Sequence, residues 1–373
     1  MLRRLESIFS VEKLKVFNYL SDWVRIIDTE GKVLFQNSEM TEKVGDQVGE
    51  NSLENLQENN VIPGTSIEEF YEKDQLTKTL TIGSEEFLVR SSIIYEDEEA
   101  LAIIETFRNI TIESIAIKRY EDIAKKTQKE LNDARVIQNS LLPDKGNHRG
   151  LEVMYKYIPS AYLSGDMFDV IPIDENKTAI YIADVVAHGI SASILTMFVR
   201  QSVRYHLARS RITGFTPDIV LRSLIRRFAE LNLEDSKYFT IFYGVFDKEA
   251  GTFQYANAGH NAIPLKINRD GKVEKLMGTG LPISLITSKG NYSESEIDLE
   301  IGEKILFYTD GITETKDYFG EFYGTERLIK LVSNNYPNVL DRIVNEVSTY
   351  RWGRQEDDIA LLFVERKEDI NGN

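Results

Sequence analysis

Four aspartates in the second half of the chain each lie at the end of a segment whose apolar, β-branched and aromatic residues predict a strand. They are Asp166, Asp184, Asp310 and Asp357. Mg²⁺ and Mn²⁺ prefer oxygen ligands and keep part of their water shell in proteins. Strands from remote parts of the chain that bring these carboxylates together would build a site for divalent cations. The pattern therefore predicts metal-assisted hydrolysis.

Each aspartate taken alone also fits a purely structural role. An aspartate near a glycine is common in turns, because its side chain accepts backbone hydrogen bonds while glycine supplies a positive φ. One short string of this kind is weak support for catalysis. Only the joint occurrence of all four aspartates favours an active site.

Five sequence blocks occur in the order that is typical of SpoIIE-type phosphatases, a bacterial branch of the metal-dependent serine/threonine phosphatases of the 2C type. The blocks are LSGDMFD (163–169), DVVAHG (184–189), YANAGHN (255–261), YTDG (308–311) and QEDDIALL (355–362). The resemblance covers residues 130–365 and includes a helical lead-in at 134–143. It implies that the catalytic part of this α+β chain is an αββα sandwich.

The resemblance also implies a role for each acidic position. Asp184 would bridge two Mn²⁺ or Mg²⁺ ions, with the backbone carbonyl of Val185 as a further ligand of one ion. Asp166 and Asp357 would hold the second ion, and Asp310 would contact the pair. The four aspartates would thus be both the metal ligands and the catalytic residues.

The chain departs from the family pattern in two places. Val186 and Ala187 replace a small polar residue and a glycine before His188. We also find no counterpart of the phosphate-binding arginine that eukaryotic relatives carry near their first acidic motif. The sequence therefore leaves open how the substrate phosphate is neutralised.

The expected chemistry follows from charge. Two divalent ions can neutralise a phosphoester and lower the pKa of a shared water, so that hydroxide exists near neutral pH. The chain has no cysteine, which excludes a cysteinyl-phosphate intermediate and a thiolate zinc site. Its four histidines do not favour a multi-histidine metal centre. We expect His188 and His260, which lie in the motif blocks, to form hydrogen bonds rather than to act in catalysis.

Composition limits the remaining function classes. A chain of 373 residues with 42% hydrophobic residues predicts two or three domains with real cores. The formal charge of −16 opposes non-specific binding to nucleic acid and to anionic membrane surfaces. Neither a signal peptide nor an apolar window of about 20 residues is evident. We therefore predict a cytoplasmic protein without membrane insertion.

The first hundred residues predict a separate unit. Two strand-like runs around a polar glycine turn form a hairpin signal at 23–37, and three more strands are expected at 77–82, 86–94 and 100–107. This antiparallel pattern resembles a PAS sensory domain, although another small α+β domain is an alternative. Residues 1–147 contain neither cysteine nor histidine, which excludes a histidine-ligated haem and a flavin–cysteine adduct there. The PAS ligand stays unknown.

A long helix is predicted between the two units. Residues 112–142 lack glycine and proline, and the helix should end before Pro143. An apolar seam at three- and four-residue spacing could pair two chains as a short coiled coil or pack against the chain's own domains. Its members are Ile123, Thr127, Leu131, Ala134, Ile137 and Leu141. Similarity to PAS-linked stress-response phosphatases favours a homodimer. The predicted domains are 1–111, 112–143 and 144–373.

The leading function is a metal-dependent phosphatase in bacterial signalling that acts on a phosphorylated partner protein. The resemblance points to an anti-sigma-factor antagonist as that partner and to regulation by the PAS-like domain through the helix. We expect this regulation to move two predicted helices, 190–209 and 217–233, that follow Asp184. The alternative is a catalytically silent signalling scaffold, which the complete set of aspartates disfavours. A histidine kinase would need a histidine in the linker helix, and a nucleotide cyclase would rest on the single string Ser164 to Phe168.

Overall fold

The computed structural model describes residues 11–53, 62–70, 73–186, 189–234, 236–287, 290–334 and 336–368. These residues form two compact units, Met1–Thr127 and Gln128–Asn373.

The first unit contains a five-stranded antiparallel sheet in the order β2-β1-β5-β4-β3. Two short helices, α1 (Val11–Leu14) and α2 (Ser38–Val44), and two 3₁₀ turns accompany it. The predicted antiparallel sheet is therefore confirmed, and each predicted strand extends by a few residues. The strands are β1 (Trp23–Asp28), β2 (Val33–Gln36), β3 (Gln75–Ile82), β4 (Glu85–Glu96) and β5 (Glu99–Asn109).

The predicted hairpin at the start of this sheet is present. Asp28 Oδ1 accepts hydrogen bonds from the backbone N–H groups of Glu30 (3.0 Å) and Lys32 (2.9 Å), and Gly31 has a positive φ of 90°. The side chain of an aspartate and the freedom of a glycine thus reverse the chain between β1 and β2. Aromatic packing closes the core, with the rings of Trp23 and Phe87 4.3 Å apart.

The predicted long helix, α3, spans Thr111–Ser140. Asn109 Oδ1 accepts a hydrogen bond from the N–H of Thr111 (3.0 Å) at its start. The helix ends three residues before Pro143, as predicted from the helix-breaking ring of proline. The boundary between the two compact units falls within this helix, after Thr127.

The second unit contains two six-stranded sheets. The first has the order β15-β11-β10-β9-β8, with β14 paired to β10, and the second has the order β13-β12-β16-β17-β7-β6. The strands of the first sheet are β8 (Asp166–Pro172), β9 (Lys177–Val185), β10 (Tyr238–Asp247), β11 (Thr252–Ala258), β14 (Ile283–Ser284) and β15 (Ser295–Asp298). Those of the second are β6 (Gly146–His148), β7 (Leu151–Ile158), β12 (Leu265–Ile267), β13 (Val273–Lys275), β16 (Lys304–Tyr308) and β17 (Ile359–Arg366).

Helices cover the outer face of each sheet. The rings of Phe228 and Phe239 are 5.3 Å apart where the helices pack on the first sheet. Phe242 and Phe307, one from each sheet, contact each other in the layer between them with ring centroids 5.9 Å apart. The predicted αββα sandwich is therefore confirmed. The helices are α4 (Ile190–Leu207), α5 (Ser210–Thr213) and α6 (Pro217–Ala229) beside the first sheet, and α7 (Asp310–Thr313), α8 (Gly324–Ser333) and α9 (Val339–Tyr350) beside the second.

Several boundaries differ from the prediction for identifiable reasons. The strand expected from residue 262 begins only at Leu265, because Pro264 has no N–H to donate to a neighbouring strand. The helix expected to reach Leu233 ends at Ala229, and Asn232 then adopts a left-handed φ of 48°. Strand β7 was not predicted. No helix in the ranges described above combines the length and apolar character needed to cross a bilayer.

Candidate active site

Two of the predicted site residues are direct neighbours on adjacent strands of the first sheet. Asp166 begins β8 and is paired in register with Asp184 near the end of β9. Side chains of directly opposed residues in an antiparallel pair point to the same face, with Cβ atoms about 4.5–5.5 Å apart. The N–H of Val185 donates to the carbonyl of Gly165 at 3.0 Å, which continues the pairing past Asp166. The sheet therefore places the two carboxylates side by side.

The other two predicted residues lie at the ends of neighbouring strands in the second sheet. Asp310 begins α7 directly after β16, and Asp357 precedes β17. The junction is tight, because Thr309 N–H donates to the carbonyl of Ala360 (3.1 Å) and Thr309 Oγ1 accepts from the N–H of Ala360 (3.0 Å). A Cβ on Gly311 would lie 2.0 Å from the carbonyl oxygen of Asp358, so only glycine permits this approach.

Asp358 connects the two sheets at this point. Its Oδ1 accepts hydrogen bonds from the N–H (2.7 Å) and hydroxyl (2.9 Å) of Ser160. Its Oδ2 accepts from the hydroxyl of Ser164 (2.8 Å) and from the N–H of Gly165 (2.7 Å). The loop that leads into Asp166 is thus anchored to the residue that follows Asp357. Asp358 uses both of its oxygens for structure and acts as a positioning residue.

His260 forms a second connection between the sheets. Its Nε2 lies 3.0 Å from the carbonyl oxygen of Tyr308 and its Nδ1 lies 3.2 Å from Oγ1 of Thr240. A carbonyl can only accept, so Nε2 carries the proton and Nδ1 accepts from the threonine. Burial lowers the pKa of His260, which agrees with a neutral ring. His260 thus links the strand opposite Asp184 to the strand before Asp310, and His188 lies outside the described residues.

The electrostatics of the four aspartates reflect burial and mutual repulsion. Burial and the charge of Asp184 raise the pKa of Asp166 well above its usual range. Burial, together with the charges of Asp310 and Asp357, raises the pKa of Asp184 to about 7. Burial and Asp310 also raise the pKa of Asp357 to about 6. Groups that repel one another in this way are stabilised when a cation binds between them.

One atom of this cluster has no hydrogen-bond partner among the residues that the structure describes. Oδ2 of Asp166 is buried and accepts no hydrogen bond from any of them, although nearly all buried polar atoms are paired. A carboxylate oxygen without a donor, next to other carboxylates, fits the oxygen-rich ligand set of Mg²⁺ or Mn²⁺. As the side chains stand, no three acidic or histidine residues of the described ranges are grouped closely enough to enclose one ion. The ligand set, including the carbonyl of Val185, therefore stays a prediction.

The end of the long helix contacts this site within the second unit. Gln138 is fully buried, donates from Nε2 to the carbonyl of Ser164 (2.8 Å) and accepts at Oε1 from the N–H of Ser164 (3.1 Å). The same amide lies 3.4 Å from Oγ1 of Thr196 on α4. One glutamine therefore touches both the loop before Asp166 and the helix after Asp184.

Asp358 and Gln138 were missed by the sequence analysis. The available signal for Asp358 was a second aspartate directly before a fully apolar strand. For Gln138 it was a single polar residue beside the apolar seam of the helix. Neither signal specifies a partner, because the partners of Asp358 are 193 to 198 positions away and those of Gln138 are 26 and 58 positions away.

Comparison with known proteins agrees with this architecture. The family model of Stage II sporulation protein E (SpoIIE) matches residues 174–367, more than half of the chain. This range contains Asp184, Asp310 and Asp357 and begins just after Asp166.

Three relatives are similar in sequence. Phosphoserine phosphatase RsbU of Bacillus subtilis is 27% identical over 250 residues, which cover 66% of this chain and 72% of RsbU. Phosphoserine phosphatase RsbP of the same organism is 32% identical over 194 residues, covering 50% of this chain and 46% of RsbP. Protein IcfG of a Synechocystis strain is 26% identical over 264 residues, covering 64% of this chain and 41% of IcfG. The matches thus span less than half the length of RsbP and IcfG.

Two solved structures share the fold. The SiaA-PP2C domain of Pseudomonas aeruginosa has a TM-score of 0.57 at 20% identity, covering 65% of this chain and 98% of that one. The PP2C phosphatase domain of SpoIIE from Bacillus subtilis, with a fragment of its regulatory domain, has a TM-score of 0.52 at 15% identity, covering 79% and 78%. The chain therefore belongs to the SpoIIE family, and its second unit has the fold of PP2C phosphatase domains.

Proposed function

We propose that this chain hydrolyses phosphoserine or phosphothreonine on a partner protein in bacterial signalling, with water activated by two Mn²⁺ or Mg²⁺ ions. The observation that carries the proposal is the pair of Asp166 and Asp184 on adjacent strands, of which Asp166 is buried and keeps an oxygen without a hydrogen-bond partner among the described residues. When bound, such ions would neutralise the phosphoester and lower the pKa of water. Family membership supports the reaction class.

The protein's own residues have three tasks in this proposal. Asp166, Asp184, Asp310 and Asp357 hold the ions. The raised pKa values of Asp166, Asp184 and Asp357 are expected to fall when the ions bind, so that these three carboxyl groups ionise. Asp358 fixes the loop before Asp166 through its four hydrogen bonds. His260 fixes the spacing between the two sheets.

Replacement of Asp184 or Asp310 by asparagine tests the reaction. We expect either variant to lose turnover of p-nitrophenyl phosphate by at least about a thousandfold, because an interaction worth about 4 kcal/mol in the transition state corresponds to that factor. Mn²⁺ affinity, measured by calorimetry, should fall in the same variants. Asp270→Asn, at an exposed position outside the cluster, is the matched control. Full turnover with unchanged Mn²⁺ binding in Asp184→Asn would exclude the proposal, and Mn²⁺ binding without any turnover would favour the silent scaffold.

The partner protein and the regulation are finer proposals. Resemblance to the family suggests a phosphorylated anti-sigma-factor antagonist as the substrate. If the wild type releases phosphate from that phosphoprotein and Asp184→Asn does not, the phosphoprotein is a substrate. If the wild type hydrolyses p-nitrophenyl phosphate but releases no phosphate from the phosphoprotein, this candidate substrate is excluded.

We further propose that the PAS-like unit regulates turnover through α3. The contacts of Gln138 with Ser164 and Thr196 support this route, since both partners lie next to segments that carry proposed ligands. Removal of residues 1–111 is expected to change turnover in the wild type. The same removal should have no effect in Gln138→Ala, whereas the exposed Gln128→Ala is a control on the same helix. If removal of residues 1–111 changed the turnover of Gln138→Ala and of Gln128→Ala equally, this route would be excluded.

A homodimer through α3 is part of the same proposal. Ile115, Ile123 and Ile137 expose 46%, 63% and 57% of their surface in the single chain, which favours a partner helix. Sedimentation equilibrium should give a dimer for the wild type and a monomer for Ile123→Lys. A wild-type monomer at all concentrations would contradict it. A cytoplasmic location stays a prediction.

A further inference from the structure

A cavity of about 340 Å³ opens beside Asp357. Its wall includes Gly311 and Glu314, which follow Asp310, and the segment 351–357. The cavity thus adjoins two of the four proposed ligand positions. A phosphoserine bound at those positions would extend into this space with the residues beside it.

Four exposed aromatic residues, which we call the aromatic platform, lie in the wall of this cavity or continue from it. Phe322 and Trp352 line the cavity, and ring contacts connect Trp352 to Tyr318 and Tyr318 to Phe319. Tyr318 and Trp352 are each 67% exposed and Phe319 is 84% exposed. The rings meet edge to face, with centroids 4.9 Å apart for Tyr318 and Trp352 and 5.3 Å apart for Tyr318 and Phe319. Isolated exposed apolar residues are ordinary, but a contiguous aromatic patch is typical of an interaction site.

The backbone holds this platform in place without a partner. Asp317 Oδ1 accepts hydrogen bonds from the N–H of Phe319 (2.8 Å) and of Glu321 (2.9 Å). The N–H of Trp352 donates to the carbonyl of Lys316 at 3.0 Å, which ties the two segments together. A surface that is already ordered loses little conformational entropy when it binds, so its aromatic side chains can serve as anchors.

The cavity wall carries three basic residues alongside the acidic Glu314, Glu356 and Asp357, so a phosphorylated ligand needs a basic residue that is not already paired. Lys316 pairs with Glu356 (3.0 Å), and Arg351 donates to Gln355 (3.3 Å). Arg354 is exposed, and no hydrogen bond or ion pair joins it to any other residue whose position is described. Of the three cations in the cavity wall, Arg354 is therefore the one that forms no hydrogen bond or ion pair with a described residue, so that its whole guanidinium group is available to a ligand. A guanidinium group is suited to bind two phosphoryl oxygens at once.

We propose that Arg354 and the aromatic platform form the recognition site for the phosphorylated segment of the protein substrate. Arg354 donates to the phosphoryl oxygens, and the platform packs on the apolar side chains beside the phosphoserine. This inference rests on the proposed phosphatase function and deepens it. It also supplies an arginine for phosphate binding, three positions before Asp357 instead of near the first acidic motif.

The test uses the full chain with Mn²⁺ and two probes. One probe is p-nitrophenyl phosphate, and the other is a tryptophan-free phosphoserine peptide with leucine on both sides of the phosphoserine. Arg354→Ala should lower kcat/KM about tenfold for both probes, since a hydrogen bond to a charged group is worth about that factor. Arg354→Lys should recover only part of this loss, because lysine cannot form the two parallel bonds.

The aromatic platform is tested by the ratio of kcat/KM for the peptide to kcat/KM for p-nitrophenyl phosphate. Phe319→Ala and Trp352→Ala should lower the kcat/KM for the peptide relative to that for p-nitrophenyl phosphate by about tenfold, the effect of losing one buried aromatic contact of about 1.4 kcal/mol. Arg211→Ala and Tyr205→Ala, at exposed positions of the same unit that do not line this cavity, are the matched controls and should change neither value. Unchanged kinetics in Arg354→Ala, or an unchanged ratio in both platform variants, would overturn the proposal.

A binding measurement separates this inference from the proposed function. The chain has two tryptophans, of which Trp23 is buried and Trp352 is exposed. The peptide should shift the tryptophan emission to shorter wavelength in the wild type and in Asp184→Asn, and not in Trp352→Phe. A shift without any turnover would sustain the recognition site while the phosphatase proposal fails. Turnover without a shift would sustain the phosphatase and overturn the recognition site.

Discussion

Two sites of this protein, one in each unit, place charged side chains in opposite surroundings. In the first unit, Arg25 and Glu105 are fully buried and form an ion pair at 2.7 Å. Arg25 also donates to the carbonyls of Ile62 (2.7 Å) and Pro63 (3.0 Å), and Glu105 accepts from the N–H of Thr65 (2.8 Å). In the second unit, Asp166 is buried beside another carboxylate, and one of its oxygens has no donor.

The difference distinguishes a structural charge from a functional one. A buried ion pair whose remaining hydrogen bonds are satisfied needs nothing from outside the protein. A group of buried carboxylates without counter-charges is destabilising unless a cation binds. The pair in the first unit therefore uses buried charge to fix its own sheet, as the buried Asp169 does with Arg204 in the second unit, while the aspartate cluster keeps its charge available for a ligand. Four predictions test this contrast, from the largest expected effect to the smallest.

The largest effect is expected when the pair in the first unit is broken. Glu105→Ala should lower the free energy of unfolding of this unit by about 3–5 kcal/mol, because it leaves a buried guanidinium without its counter-charge. Denaturant unfolding followed by the emission of Trp23, which lies in the core of the same unit, measures this loss. The double variant Arg25→Met with Glu105→Leu should recover most of it. A single variant as stable as the wild type would contradict the structural role of the pair.

Asp358 should behave like Glu105 although it lies in the second unit. Asp358→Ala removes the acceptor of four hydrogen bonds and leaves the N–H of Gly165 unpaired. We expect a loss of about 3 kcal/mol in the free energy of unfolding of the metal-free second unit. Thermal unfolding monitored by circular dichroism measures it, with the exposed Asp270→Ala as the control. An unchanged midpoint would mean that Asp358 does not anchor the loop before Asp166.

Replacement of Asp184 should change the free energy of unfolding in the opposite direction. In metal-free protein at pH 8, Asp184→Asn should raise the free energy of unfolding by roughly 1–3 kcal/mol, because it removes a carboxylate whose charge is disfavoured by burial and by Asp310. The same variant should lose the stabilisation that Mn²⁺ gives to the wild type. Calorimetric scans with and without chelator compare the two. A metal-free variant that is less stable than the wild type would remove the contrast between the two sites.

The smallest effect is the pH dependence of that difference. The pKa of Asp184 is raised to about 7 in the folded state. At pH values between the ordinary pKa of an aspartate and about 7, the folded protein therefore binds more protons than the unfolded chain. Wild-type stability is therefore lost as the pH rises through this window, and Asp184→Asn lacks this loss. The advantage of the variant should be near zero at pH 4 and reach its full size above pH 7. If the free energy of unfolding of Asp184→Asn exceeded that of the wild type by the same amount from pH 4 to pH 8, titration of Asp184 would be excluded as the cause.

Local sequence patterns predicted the elements better than the contacts between them. The long helix, the hairpin before Val33 and the strands that carry Asp184 and Asp310 follow from periodicity and turn residues. Strand β7 mixes polar and apolar residues and is held by pairing with β17, more than two hundred positions away, so its own residues predict it poorly.

The site shows the same limit. The four aspartates could be selected from sequence because each lies at a strand end. The register that sets Asp166 opposite Asp184, and the anchoring of Ser160 by Asp358, depend on tertiary pairing that no local pattern contains. The cavity beside Asp357 was also beyond prediction, because its walls come from two segments about forty positions apart.

The central claim is that the four aspartates share divalent cations, and anomalous diffraction from a crystal soaked in Mn²⁺ tests it most directly. The account predicts strong manganese peaks within coordination distance of Asp184, bounded by Asp166, Asp310 and Asp357. The protein used must hydrolyse p-nitrophenyl phosphate with Mn²⁺. If its crystals show manganese peaks only elsewhere, or no peak near Asp184, the account is contradicted.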